Sequence, residues 1–477
     1  MKKIFLFAVL VVIFLFYVST VQAFESSPIG WASYNDLGCN GTTGGAGGST
    51  ITVIDEPNLV KYASKTTTGP YIIQVQGTIG LTARLDISPN KTLIGIGTDP
   101  TITGPYNLRI RGQDSGGVVL GYNIIVRNLI LANHTSSDKD GLTIQDKAHH
   151  IWVDHCDLHN NSDGDLDISH ACDYITISWN RFHDQDKTSL VGHSPDNGSE
   201  DTGHLKVTYH HNYFNATQRQ PRVRFSFLCH VYNNYYVAPA DPTNNYGIAS
   251  TCDAYVLAEG NYFKNMLHPM FSLHYSDDPN GWLIERHNVY DNSGTPEVNP
   301  PTSMPEPSTY YSYTLADANT IPTAVFNGAG VNKINLPDVN APTPNPMTFA
   351  IPPEGNSVSS IVMTATTAYD DSGVQYYFHC ATTGGHDSAW QDSTTYIDTG
   401  LTIGTTYTYQ VKARDKSTNN NETAYSDPAS AMTYRYSCTS TIASDLNHNC
   451  KVDFADFALF ALDWLTCNRN PSSECEN

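Results

Sequence analysis

Charge is scarce in this chain of 477 residues. Only 15% of positions are Asp, Glu, Lys or Arg, and 26 Lys and Arg face 47 Asp and Glu, a formal net charge of −21. That sign excludes a protein that coats nucleic acid, because neutralising phosphates needs a basic surface. Low charge beside 40% apolar residues also excludes a coiled coil and a wholly disordered chain. Long apolar runs are missing after the first two dozen residues, so no later segment is expected to span a bilayer. The start is the exception. Met1-Lys2-Lys3, an apolar run from Ile4 to about Val18, and Val21-Gln22-Ala23 have the charged start, apolar middle and small-residue exit of a secretory signal peptide. Residues 1–23 are therefore expected to be removed and the mature chain to be secreted. In an exported chain ten cysteines make disulfides an expectation. Spacing does not assign the pairs, and no motif makes any cysteine a nucleophile.

What is abundant is Thr, Asn, Gly and Tyr (29 Tyr), the composition of a β-rich extracellular protein. The middle of the chain repeats. A short β-branched or aromatic run is followed by an Asn-like residue: Asn128, Asp157, Asn180, Asn212, Asn234, Asn261 and Asn288. The shortest step, Asn212 to Asn234, is 22 residues and the longest, Asn180 to Asn212, is 32. Periods of that size mean stacked repeats. One strand–turn–strand unit per period with little helical pattern fits a parallel β-helix. Asn suits its turns, since it tolerates the left-handed conformation and its amides can ladder between coils. Long intervals read as insertions that build a binding face.

The period fades after about Asn292. The stretch 337–353 holds six prolines and reads as a linker, because Pro cannot donate to a central ladder. From 354 to 436 short alternating strands separated by turns suggest a small β-sandwich. The Gly400-Leu401 turn, Tyr407 and the strand that follows to Ala413 resemble a fibronectin type III module. In the tail, 437–477, Asp445, Asn447, Asn449, Asp453 and Asp456 fall at positions 1, 3, 5, 9 and 12 of an EF-hand-type calcium loop, with a carbonyl from Lys451 at position 7. Position 6 is Cys450 rather than Gly, and position 12 is Asp rather than Glu. Phe457 to Leu465 is expected to be helical. The segment resembles a single dockerin repeat, which implies a second calcium site and a protein partner; a dockerin ordinarily has two repeats.

Three clusters carry chemistry. The first is acidic: Asp138, Asp140, then Asp163-Gly164-Asp165-Leu166-Asp167. The second runs from Asp184 to His193 through Lys187. The third is Arg219-Gln220-Pro221-Arg222-Val223-Arg224. They lie one or two periods apart, so coils can stack them on one face. Carboxylates so close imply a bound hard cation, and an oxygen-only set favours Ca²⁺. Arginines beside it suit bidentate recognition of an anionic sugar. The five histidines between Arg181 and Arg224 fit no zinc spacing and read as structural hydrogen-bonding groups. His155, Asp154 and Asp157 read as turn and stacking residues.

Together, Trp152-Val153-Asp154-His155, the Asp163–Asp167 run, Asp186-Lys187-Thr188 with Val191-Gly192, and Arg219–Arg224 resemble the extracellular pectate lyases of the parallel β-helix type. The resemblance spans roughly residues 30 to 300. It implies a mainly β chain, a right-handed parallel β-helix over 24–336, and calcium-dependent β-elimination of polygalacturonate to 4,5-unsaturated products. Carried over residue by residue, it makes Asp140, Asp163 and Asp167, with Asp138 as a further acid, the calcium ligands. Lys187 and Arg224, with Arg222, would hold substrate carboxylates. Arg219 matches the proton-abstracting residue. A guanidinium ordinarily stays protonated, so charge stabilisation by Arg219 remains the alternative. Asp165 would alternate away from the ligand side. The rival readings are a lyase acting on esterified pectin and a non-catalytic polysaccharide-binding β-helix.

Overall fold

The computed structural model describes residues 25–462 apart from 137–139, 241–244, 274–277, 335–340, 371, 418–419, 439 and 441. The segment 1–23 expected to be a signal peptide, Asp138, Cys467 and Cys475 therefore lie outside the described residues. Chain contacts divide it near residue 335 into two units.

The first unit is a parallel β-helix with three strands per coil. One coil runs through Asp173–Ser178, Arg181–Lys187 and Leu190–Val191, and each strand pairs in parallel with its counterparts one coil away. The first sheet stacks Leu85–Asp86, Leu108–Arg111, Leu142–Gln145, Leu166–Ile168, Leu190–Val191, Arg222–Arg224, Tyr246–Thr251 and His268–Phe271. The second contains His149–Asp154, Asp173–Ser178 and Val207–His210, and the third contains Asp157–His159, Arg181–Lys187 and Tyr213–Gln218.

The core follows from this register. Ile151, Ile175, Val207, Cys229, Val256 and Leu283 are consecutive partners across the second sheet and all are fully buried. Each such side chain contributes about 1.5–3 kcal/mol relative to exposure. In the third sheet Phe182, Phe214, Tyr236, Phe263 and Tyr290 stack with ring centroids 4.5–5.5 Å apart. A helix, Glu56–Ala63, capped by Asp55 accepting from Asn58 N at 2.9 Å, buries Leu59 and Ala63 in the same core. Beyond the last coil, the helix Ile321–Gly328 lays Ile321 and Val325 against Tyr213, Tyr235 and Tyr262.

The asparagine column is real but shifted. Asn180, Asn212, Asn234, Asn261 and Asn288 form a ladder in which each backbone N and side-chain Nδ2 donates to the next Oδ1, at 2.9–3.0 Å. Asp157 is not a rung. Cys156 N donates to Asn180 Oδ1, so Cys156 holds that register position, and Asn128 sits one residue before it. The left-handed conformation belongs to the residue preceding each rung: Asn128, His155, Trp179, His211, Asn233, Gly260 and His287 have φ between 51° and 63°. The turn therefore needs a left-handed residue and then an amide, in adjacent positions rather than one.

The second unit contains two three-stranded antiparallel sheets, Phe349–Ser357, Ser360–Ala365 and Thr395–Thr399, and Val374–Cys380, Thr406–Asp415 and Ala429–Met432. Alternate residues Tyr407, Tyr409, Val411 and Ala413 are buried with Ile361, Met363 and Phe378. Tyr407 Oη accepts from Thr402 N at 2.9 Å, tying the strand to the turn before it. Its first strand starts at Phe349, inside the stretch expected to be linker. Pro352 and Pro353 are tolerated there because the strand is an edge and its register shifts between Ile351 and Glu354.

In the tail, Asp445, Asn447 and Asn449 accept from backbone N–H groups along the loop, and Asp456 accepts from Asn447 N and Asp453 N. Cys450 takes the left-handed conformation that the position demands (φ 69°) and is disulfide-bonded to Cys438. The helix begins earlier than expected, at Phe454, and runs to Leu462.

The ladder predicts a graded stability series. Asn234→Ala leaves Asn212 N, Tyr209 O and Tyr232 O without their side-chain partner. At about 1–3 kcal/mol per stranded group, the loss should be roughly 3 kcal/mol or more. Asn288→Ala, at the half-exposed last rung, should cost about 1 kcal/mol. Denaturant midpoints of the two variants check this; equal losses would mean the rungs carry no buried hydrogen-bond energy.

Candidate active site

The first sheet presents one outward line of residues. Register pairs Asp86 with Arg109, Arg109 with Thr143 and Thr143 with Asp167; Leu190 pairs with Arg222. Asp167 is thus placed by the strand Leu166–Ile168. Asp163 and Asp140 are placed by loops that enter this sheet one coil apart. Around Gly164 these loops close up. A Cβ at Gly164 would stand 2.7 Å from Asp167 Oδ1 and 3.0 Å from Asp140 Oδ1. A side chain there would fill the space where the carboxylates converge.

Each carboxylate is pinned. Asp140 accepts from Thr143 Oγ1 at 3.0 Å and from Gly164 N at 3.1 Å, and Asp167 accepts from Leu190 N at 3.0 Å. Asp163 Oδ1 is 3.0 Å from Lys187 Nζ. Burial, then the neighbouring Asp167, pushes Asp140 up to about 9, and burial pushes Asp167 up to about 6. A cluster that resists ionisation because it is buried, and next because its members face each other, is what a cation of two charges relieves. The donor set is all oxygen, and the residues present fit Ca²⁺.

Asp140, Asp163, Asp167 and Arg219 line one cavity of about 380 Å³. Arg219 follows the strand Tyr213–Gln218 and has φ 59°. Its carbonyl accepts from Ser189 N at 2.7 Å and from Thr188 Oγ1. Behind it, the buried Gln220 amide donates to Ala216 O and Tyr246 O at 2.9 and 2.8 Å. The backbone is held from two sides, and Arg219 Nε is buried without a hydrogen-bond partner among the described residues.

The sequence-derived cations divide. Lys187 reaches the cluster through Asp163. Arg222 and Arg224 do not line this cavity: both guanidinium groups meet Asp278, and Arg224 Nη1 donates to Gly192 O and His193 O at 3.0 and 3.2 Å. Asp165 is buried, with Oδ1 accepting from Asn161 Nδ2 at 2.8 Å. It lies in the turn before the strand, so strand alternation is not what removes it. Arg84 and Arg109 line the cavity and were missed. No motif flags them; the register of Arg109 with Thr143 is the only signal, and it is a property of the stacked coils.

A family profile described as pectate lyase matches residues 3–334. The chain belongs to the pectate lyase family. It is a polysaccharide lyase, and the non-catalytic reading is set aside. Pectate lyase plyB of Emericella nidulans is 38% identical over 253 residues, 51% of this chain and 71% of that protein. The pectate trisaccharide-lyase of Thermotoga maritima is 34% identical over 349 residues, 66% of this chain and 91% of that protein. A solved pectate lyase from Bacillus sp. N165, in complex with trigalacturonate, superposes with TM-score 0.55 at 28% identity, covering 65% of this chain and all of that one.

The raised carboxyls of this lyase make a signed prediction. An acid whose pKa is higher folded than unfolded withdraws stability as pH climbs from the unfolded value towards the folded one. With chelator present, melting temperature should fall between about pH 4 and 9, where Asp140 and Asp167 ionise. Asp140→Asn should flatten that fall. A variant curve parallel to the parent's would show that the cluster does not set it.

Proposed function

We propose that this pectate lyase is a secreted, calcium-dependent enzyme that cleaves polygalacturonate by β-elimination. The observation that carries the reading is the convergence of Asp140 and Asp167 on Gly164, with Asp163 and Arg219 on the same cavity. Asp140, Asp163 and Asp167 would hold Ca²⁺; Asp138 lies outside the described residues. Bound there, the cation would neutralise a uronate carboxylate and acidify the adjacent carbon.

Arg219 projects from a backbone held by Ser189, Thr188 and the Gln220 amide, and its deprotonated guanidine would accept the C5 proton. The C5–H electron pair would become the C4=C5 double bond as the C4–O4 bond breaks, and the departing O4 would take a proton from water, leaving a 4,5-unsaturated uronide. Lys187 would meet a second substrate carboxylate, a role supported by its nearness to the cluster, 3.0 Å from Asp163. Arg224, gripped by Asp278 and two carbonyls, supports the groove wall instead of lining the cavity. Action on unesterified polymer is favoured over esterified pectin because three acids and Lys187 are useful only where the substrate is charged. The second unit is read as a fibronectin type III-like sandwich, supported by the Tyr407–Thr402 tie. The loop from Asp445 to Asp456 is read as a dockerin-like calcium site that would dock a protein partner, supported by its hydrogen bonding through Asp445 and Asp456.

Ultraviolet absorbance of polygalacturonate incubated with the protein tests the reading. Growth with calcium and none with chelator is expected. Arg219→Lys should lower the rate by about a hundred- to a thousandfold while polymer binding persists. Equal absorbance growth in chelator would remove calcium from the reaction and favour the esterified substrate.

A further inference from the structure

A second cluster of metal-ligating side chains stands away from this groove, on the second sheet. Cys39, His149 and His150 each offer a donor atom, and the three atoms lie within 4.8 Å of one another. His149 opens a strand of the second sheet, whereas the carboxylates lie on the first sheet and the loops that enter it.

Three features of the chain build the cluster. Adjacent strand residues ordinarily point to opposite faces. Here His149 pairs with Tyr122 and Asp173, and pairing resumes at Ile151, which is in the core. His150 lies between these pairs, as Asn123 and Tyr174 do on the neighbouring strands, and like them has positive φ (57°, against 53° and 58°), a left-handed kink repeated from coil to coil that leaves the His149 and His150 rings beside each other. Cys39 is delivered by a hairpin, Asn35–Asp36 against Cys39–Asn40, whose two turn residues Leu37 and Gly38 have positive φ. That hairpin is fixed to the wall: Tyr34 stacks on Tyr174 at 5.5 Å, and Tyr34 O lies 2.9 Å from His150 Nε2.

The hydrogen bonds set the tautomers. Tyr34 O can only accept, so His150 Nε2 carries a proton. His150 Nδ1, 2.9 Å from His149 Nδ1, then holds a lone pair that accepts from His149; a cation bound by the two Nδ1 atoms would replace that hydrogen bond, with the His149 proton moving to Nε2. This chain holds when both rings are neutral. The thiol of Cys39 is in no disulfide, and it is the free cysteine among the described residues that is not buried.

The cluster of Asp157, His159 and His183 differs. His183 has a carboxylate on each nitrogen, Asp157 at 2.8 Å and Asp184 at 2.7 Å. Both nitrogens donate there, leaving no lone pair for a metal.

We propose that Cys39, His149 and His150 bind one borderline-soft divalent cation, zinc or cobalt, and so clasp the N-terminal hairpin to the second sheet. One thiolate and two imidazoles select such ions over calcium, with water in the fourth position. The ligands come from positions 110 residues apart, which is why no sequence spacing reveals the site.

Cobalt titration of the chelator-stripped full chain tests this, because a thiolate–cobalt charge-transfer band cannot arise from the carboxylate sites. One equivalent should develop the band. Zinc should abolish it and slow the reaction of Cys39 with a thiol reagent at least tenfold. Cys39→Ser should lose the band and bind zinc at least tenfold more weakly, while calcium-dependent cleavage and the metal-free melting temperature stay as in the parent. No band in the parent, or zinc affinity unchanged in Cys39→Ser, would overturn the proposal. If the variant melts early, the thiol-protection result on the parent decides.

Discussion

Everything in the first unit depends on parallel stacking of one coil on the next, with strands about 4.8 Å apart. Parallel register makes a residue's position in its coil, rather than its place in the chain, decide what it touches. Ile151 meets Ile175 and Asn212 meets Asn234 by the same rule that sets Asp167 beside Thr143. Interior positions must then be apolar in every coil, and turn positions must satisfy the same buried groups in every coil. The asparagine ladder answers the second demand: each amide donates to a backbone carbonyl of the coil before and accepts from a backbone N–H of that same coil.

That constraint explains which parts of the structure could be read from sequence. Positions facing inward are filled alike in every coil, so the period, the parallel β-helix and the ladder were legible. The error at Asn128 and Asp157 has a physical origin. The turn uses two neighbouring residues, one left-handed and one laddered, and Asn suits both. A column drawn through Asn-like residues alone slides between them. Cys156, which holds the register position ahead of the first amide, carries no such label.

Outward positions are under no common demand, and there the sequence was mute except where several unusual residues fell together. Asp163, Asp167 and Arg219 were legible because carboxylates and cations are dense in short runs. Arg84 and Arg109 were not, since their relation to Asp140 exists only through coils contributed by distant segments. Arg222 and Arg224 show the converse: a dense motif reads as one site, yet Asp278, far along the chain, draws both guanidinium groups into the wall. Cys39 reaches His149 through a hairpin laid across the coils, a contact that no repeat records.

Stacking also accounts for the electrostatic character of the groove. Two carboxylates on a mobile surface would swing apart. Asp140 and Asp167 cannot, because Thr143, Gly164 N and Leu190 N hold their oxygens where successive coils put them. The resulting resistance to ionisation is stored in the fold rather than in any one residue, and Gly164 keeps the space between them open. A flexible acid pair would spend part of a cation's binding energy on ordering its own side chains. Here that ordering is already complete in the fold, so on the proposed reading a bound cation's interaction would go into neutralising substrate charge next to Arg219, whose backbone is held by the same coils.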